Sequence, residues 1–143
     1  MIRTKVIGIG SPFGSDQAGW KAIEYLEQAP HSDDLQLITL DRPGAALVDH
    51  FRDTPQVILI DAIKGQAEIG SISEIDLANI DSNDLSLSTH GFGVIEAIQL
   101  ATALDCLPSK LSILGIETNG LEDACLPTRK LETLLDIIIR LNS

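Results

Sequence analysis

The sequence predicts an α/β fold: a three-layer α/β/α sandwich around a twisted, mostly parallel five-stranded sheet. Three observations carry this expectation. Short apolar runs alternate with helical patterns in the order β-α-β-α-β-β-α-β-α, which suits parallel strands joined by crossover helices. One run, Gln56–Ala62 (QVILIDA), stays apolar for four residues up to Asp61, as a central strand covered on both faces must. The chain has 143 residues, 44% of them hydrophobic, which suits a single domain over 1–143 with one substantial core.

Each element has its own signal. Lys5–Gly10 (KVIGIG) is a buried strand, followed by a glycine-containing loop, GSPFGSDQAG. Ser15–Gln28 is helical, with Trp20, Ile23 and Leu26 on one stripe and Ser15 as N-cap. Leu35–Leu40 (LQLITL) alternates as a second strand, and Ala45–Arg52 is a short helix. After the central strand, Ser71–Ile75 (SISEI) alternates as an edge strand. Asn79–Thr89 is polar and loop-like. Gly91–Leu104 sets Val94, Ile95, Ile98 and Ala101 on one helical face. Lys110–Ile116 (KLSILGI) is the fifth strand. Pro127–Leu141 opens with a proline suited to a first helical turn and spaces Leu131, Leu134, Leu135, Ile138 and Leu141 at helical intervals.

Composition narrows the function. The formal net charge is −11, and binding nucleic acid needs clustered Lys and Arg, so no nucleic-acid partner is expected. No window reaches the roughly 18 apolar residues of a membrane helix. The charged N-terminal residues run straight into a strand with no signal-peptide pattern, so a soluble cytoplasmic protein is expected, with no membrane partner. Cys106 and Cys125 form neither a CxxC nor a zinc-knuckle spacing and are expected as reduced, partly buried thiols. His31 and His50 are expected at the surface.

The first loop resembles a dinucleotide fingerprint without matching it. Gly8-x-Gly10 is followed by Gly14, one residue late. The acid ending the second strand, Asp41, stands 31 positions after Gly10, where about 20 is expected. A tight strand-to-helix turn that presents Asp16 explains these glycines better. In open α/β sheets, sites form outside the carboxyl ends of the strands. Asp16 follows the first strand there, Asp61 ends the third, Glu117 the fifth and Asp41 the second, while His90 precedes the third helix. Asp61 is the hardest to explain blandly, because a carboxylate at the mouth of a buried strand must be hydrogen-bonded, paired or metal-bound. Asp16 in a first helical turn and His90 as a capping or surface residue each have ordinary explanations. A helix N-terminus favours neutral imidazole at His90, the form that ligates metals. Two carboxylates and one imidazole converging at one edge would leave open positions on a divalent transition metal.

At these residues the chain resembles the hydrogenase maturation proteases along nearly its full length. GIGSPFGSDQAG is similar to the family's opening loop, VILIDAIKGQAEIGSI to its central strand and following turn, and STHGFGVIEAIQLATAL to its histidine-bearing helix start. LSILGIE and LPTRKLETLLDIIIRL are similar to its last strand and closing helix. Ser11, Ser15 and Gln17 depart from the family's asparagine, aspartate and glycine. The resemblance implies an endopeptidase that removes the C-terminal extension of a nickel–iron hydrogenase large-subunit precursor. Asp16, Asp61 and His90 would be both its catalytic residues and its ligands for nickel, and the nickel would be supplied by the precursor. It also implies cleavage just after a basic residue beyond the precursor's last metal-binding cysteine. A monomer is expected. Two other classes remain at this point: a metal-dependent docking or chaperone module that inspects the precursor without cutting it, and a nucleotide-binding α/β protein.

Overall fold

Five strands build one sheet: β1 (Thr4–Gly10), β2 (Leu35–Asp41), β3 (Gln56–Ile63), β4 (Ile72–Ile75) and β5 (Lys110–Glu117). They lie in the order β2-β1-β3-β5-β4, all parallel except β4, which runs antiparallel to β5. The structure, a computed structural model, describes residues 2–12, 17–65, 67–75, 93–119 and 126–143. Within them the helices are α1 (Ala18–Gln28), α2 (Leu47–Phe51), α3 (Val94–Ala103) and α4 (Thr128–Asn142). The three-layer, mostly parallel arrangement expected from the sequence is the one observed, with the alternating SISEI run at the antiparallel edge.

Side chains alternate across the sheet as strand geometry requires. Val6, Ile58, Ile60, Leu114 and Ile116 face α1 and α4, packing on Ile23, Leu26, Leu134 and Ile138. Ile7, Ile9, Val57, Leu59 and Ile113 face α2 and α3, packing on Leu47, Phe51, Val94 and Ala101. Burying each such side chain contributes roughly 1.5–3 kcal/mol, so the two clusters dominate the stability. Strand β3 is buried from Gln56 to Ala62, which is why its sequence lacks the alternation seen in the edge strand β2.

Two boundaries differ from the sequence expectation. Helix α1 is described from Ala18, with Gln17 at its N-cap position and no side-chain cap; the expected cap, Ser15, lies outside the described residues. The Gln17 amide instead donates to the Pro12 carbonyl at 2.9 Å, bracing the loop between β1 and α1. The short second helix does not run continuously from Ala45. Gly44 takes φ 52°, outside the right-handed helical region, so a 3-10 turn spans Gly44–Ala46 and regular α geometry begins only at Leu47. The polar 79–89 stretch and the residues expected to open α3, Gly91 and Phe92, also lie outside the described residues. Among the described residues no helix is long and apolar enough to cross a membrane.

Chain order places the carboxyl ends of β1 and β3 side by side at the point where the strand order reverses. From β1 the chain crosses to β2 on one flank, then passes back over to β3 on the other. In open α/β folds a reversal of this kind is where the ligand-binding crevice forms, beyond the two strand ends.

Candidate functional site

Asp61 stands at this crevice. It is fully buried, in the last turns of the central strand, and opposite Gly115 of β5. By alternation it lies on the Leu59 face, the one covered by α3. Its Oδ1 accepts a hydrogen bond from its neighbour's backbone, Ala62 N–H, at 2.8 Å. A carboxylate in this position is held by the strand itself, and the burial that surrounds it strengthens its pull on any cation brought to the edge.

The start of α1, just after residue 16 in the chain, is seated by close backbone packing. A Cβ on Gly8 would collide with the carbonyl oxygen of Gly19 and come within 2.6 Å of Ile23 Cγ1. A Cβ on Gly19 would collide with the carbonyl oxygen of Ile9 and lie 2.8 Å from that of Ile60. The two glycines let the first turn of α1 settle directly onto β1 and β3. Trp20 fastens the same turn to the edge strand, its indole N–H donating to the Leu40 carbonyl at 2.9 Å. Gly8 and Gly19 therefore serve helix–strand contact, and Gly19, which the fingerprint comparison had not included, is half of the device.

Asp16 and His90 themselves lie outside the described residues, so their distances to Asp61 are not defined. Their described flanks start from the same edge. The chain leaves β1 through buried Ser11 and exposed Pro12, and Gln17 stands at the N-terminus of α1. Helix α3 begins four residues after His90, on the sheet face that Asp61 shares, and since it ends just before β5 starts at the amino edge, its N-terminus points to the carboxyl edge. Among the described residues no three His, Cys, Asp or Glu side chains form a group that would hold a metal ion.

Glu117, which the sequence placed at this edge without a role, is 2% exposed at the end of β5. Its carboxylate accepts backbone N–H bonds from Gly65 (2.7 Å), Asn119 (2.9 Å) and Ala67 (3.4 Å). Its signal in the sequence was the same as that of Asp61: an acid closing an apolar strand, before a polar turn. Asp41, by contrast, is exposed and pairs with its neighbour Arg42 at 2.7 Å, a surface contact worth little.

The remaining singled-out residues lie elsewhere. His31 is exposed, with Nδ1 2.9 Å from the Ala29 carbonyl oxygen. His50 is not a plain surface histidine: it is half-buried, and burial and the nearby Lys5 ammonium hold its pKa below the usual 6.5. Cys106 is a free, half-buried thiol lining a groove of about 500 Å³ between Phe51–Pro55 and Asp105–Ser109, at the amino edge of the sheet. Cys125 lies outside the described residues.

Comparison with known proteins agrees with this fold. A family model described as hydrogenase maturation protease (HycI) matches residues 20–139, a span that includes Asp61 and His90 and begins after Asp16. No curated protein sequence matches the chain. Among solved structures, the hydrogenase maturating endopeptidase HybD from E. coli superposes with a TM-score of 0.71 at 19% identity, over 97% of this chain and 93% of that one. The [NiFe] hydrogenase maturation protease HybD from Thermococcus kodakarensis gives 0.70 at 17% identity, over 99% and 100%. HycI from the same organism gives 0.68 at 20% identity, over 95% and 89%. These likenesses establish the fold, and the family model, spanning most of the chain, establishes the kinship: the chain belongs to the hydrogenase maturation protease family.

Proposed function

We propose that the protein is an endopeptidase that removes the C-terminal extension of a nickel–iron hydrogenase large-subunit precursor after nickel has been inserted. The observation that carries this reading is the placement of Asp61: a fully buried carboxylate at the carboxyl end of the central strand, at the strand-order reversal, in a chain of the maturation protease family. Asp16, Asp61 and His90 are the catalytic residues, meeting the nickel that the precursor brings with it. Three protein donors leave positions for the ligands the precursor retains. Nickel at this point supplies Lewis acidity next to the scissile peptide. The protein's contribution is to fix the ion against the peptide at the crevice, and hydrolysis then adds water across one amide bond to give a new carboxylate and a free amine. The free enzyme needs no metal of its own, and no serine or cysteine nucleophile is called for. Cys106 supports this, since it lies at the amino edge, away from Asp61.

The test is incubation of the purified protein with nickel-loaded and nickel-free precursor, reading the mass of the large subunit. A shortened subunit only with the nickel-loaded precursor is the expected result. Stable binding of the loaded precursor without any shortening would overturn the protease reading in favour of a docking module.

A further inference from the structure

We propose that Glu117 is a positioning residue for the precursor peptide, holding together the two loops that continue the crevice beyond Asp61. The inference rests on the proposed function only in taking the Asp61 edge as the place where the peptide lies.

Glu117 is a diagonal neighbour of Asp61. In the β3–β5 register Asp61 faces Gly115 and Ile63 faces Glu117, so the two acids lie two register positions apart on adjacent strands. They are on the same face, since Ile113 of β5 and Leu59 of β3 both pack on the α3 side and each acid follows at an even spacing. A second carboxylate so close to a cation site would ordinarily be read as another ligand. Its hydrogen bonds indicate a different task. Its two oxygens are taken up by backbone N–H groups from two separate loops, Gly65 and Ala67 after β3 and Asn119 after β5.

Further bonds join the same two loops around it. Gly70 N–H donates to the Glu117 carbonyl at 2.8 Å, and Thr118 donates to the Ile63 carbonyl through both its N–H (3.0 Å) and its hydroxyl (3.1 Å). Asn119 lies in the left-handed region at φ 55°, and the acceptors around its side chain call for the amide orientation in which its NH₂ would donate to the carbonyls of Gly65 (2.9 Å) and Ala67 (3.2 Å). The missing side chain of Gly65 leaves room for the carboxylate: a Cβ there would sit 2.5 Å from Glu117 Oε1.

The fit is specific to an anion. A charged acceptor bonded to several backbone N–H groups is stronger than neutral pairs and fixes its donors in place. A glutamine of the same shape offers one acceptor oxygen and turns its NH₂ towards N–H donors, so the two loops separate while the strand behind them stays packed. An extended peptide seated on these loops then loses its preformed seat, which weakens its binding more than the cleavage step.

The experiment measures processing of the nickel-loaded precursor as a function of precursor concentration for wild type, Glu117→Gln, Gly65→Ala and Asp61→Ala, with amide NMR spectra and melting curves of each. Gly65→Ala displaces the carboxylate without removing its charge, and Gly65 has no positive φ to confound the result. The expected outcome is that Glu117→Gln and Gly65→Ala both fold, both shift the Asn119 amide resonance, and both raise the half-saturating precursor concentration about tenfold while kcat stays within about threefold. Asp61→Ala should abolish processing at every concentration. Wild-type half-saturation in both loop variants beside an inactive Asp61→Ala overturns the role of Glu117 alone. A fall confined to kcat overturns it too, as does loss of the fold in both loop variants. Full activity of Asp61→Ala overturns the underlying reading of the site instead.

Discussion

Replacing Gly19 by alanine separates two opposed effects. In a helix, alanine is favoured over glycine by up to about 1 kcal/mol, so on propensity alone the change stabilises α1. Its Cβ, however, would collide with the carbonyl oxygen of Ile9 and lie 2.8 Å from that of Ile60. Both oxygens belong to the backbone of central strands whose side chains are fully buried, so neither can swing aside. Relief requires lifting the first turn of α1 off the sheet, and overpacking of this kind costs about 1–3 kcal/mol, occasionally more. With both obstacles backbone atoms the upper part of that range applies, about 2–3 kcal/mol, and against about 1 kcal/mol of propensity the net expectation is destabilisation by about 1–2 kcal/mol, which for a chain of this size lowers Tm by roughly 3–8 °C. Gly8→Ala presses on the same contact from the strand side, against the Gly19 carbonyl oxygen and Ile23 Cγ1. Once α1 has moved for one substitution, the second costs less, so the double variant should lose less than the sum of the singles. Urea and thermal unfolding of the two singles and the double measure all three quantities. A Gly19→Ala protein as stable as wild type, or more stable, would refute the claim that these glycines exist for helix–strand contact.

Three further outcomes are expected. Asp61→Asn keeps the shape and the acceptor for the Ala62 N–H, so it should stay folded, while precursor processing falls by more than ~100-fold, beyond what loss of a ligand's supporting hydrogen bond costs. Ile138→Ala, which empties a fully buried site between α4 and the sheet, should cost about 2–5 kcal/mol in denaturant unfolding with little change in processing at low temperature. His50 has a folded pKa below 6.5 because its ring is buried and Lys5 is nearby, so the unfolded chain takes up that proton first. The stability linked to it is therefore complete above pH 6.5 and declines on acidification through the window below it. An NMR titration should place its midpoint under 6.5, with Lys5→Met moving it back part of the way.

The parts of the fold that the sequence made legible are those governed by local pattern. The unbroken QVILIDA run could only be a strand buried on both faces, and the alternating LQLITL and SISEI runs could only be half-covered; they became β3 and the two edges. Helix starts were less legible where a side chain acts across a loop. Gln17 bonds Pro12, and Gly44 bends the chain before α2, and neither effect follows from periodicity. The partnership of Gly8 with Gly19 was hidden for a related reason, since it depends on which helical turn lies over which strand residue. At the site, the burial of Asp61 followed from its place at the end of an apolar run. The work of Glu117 did not, because its donors come from Gly65, Ala67 and Asn119, brought together only by the pairing of β3 with β5. Backbone N–H groups carry no mark in a sequence, so the same signal, an acid ending a strand, covered two different tasks.

The most direct test of the proposed function is the mass of the hydrogenase large subunit after incubation with this protein. With nickel-loaded precursor, wild-type protein should remove the C-terminal extension as one peptide, while Asp16→Ala, Asp61→Ala and His90→Ala leave the precursor at full length and nickel-free precursor is untouched. Full processing by all three variants, or equal processing of nickel-free precursor, would contradict it.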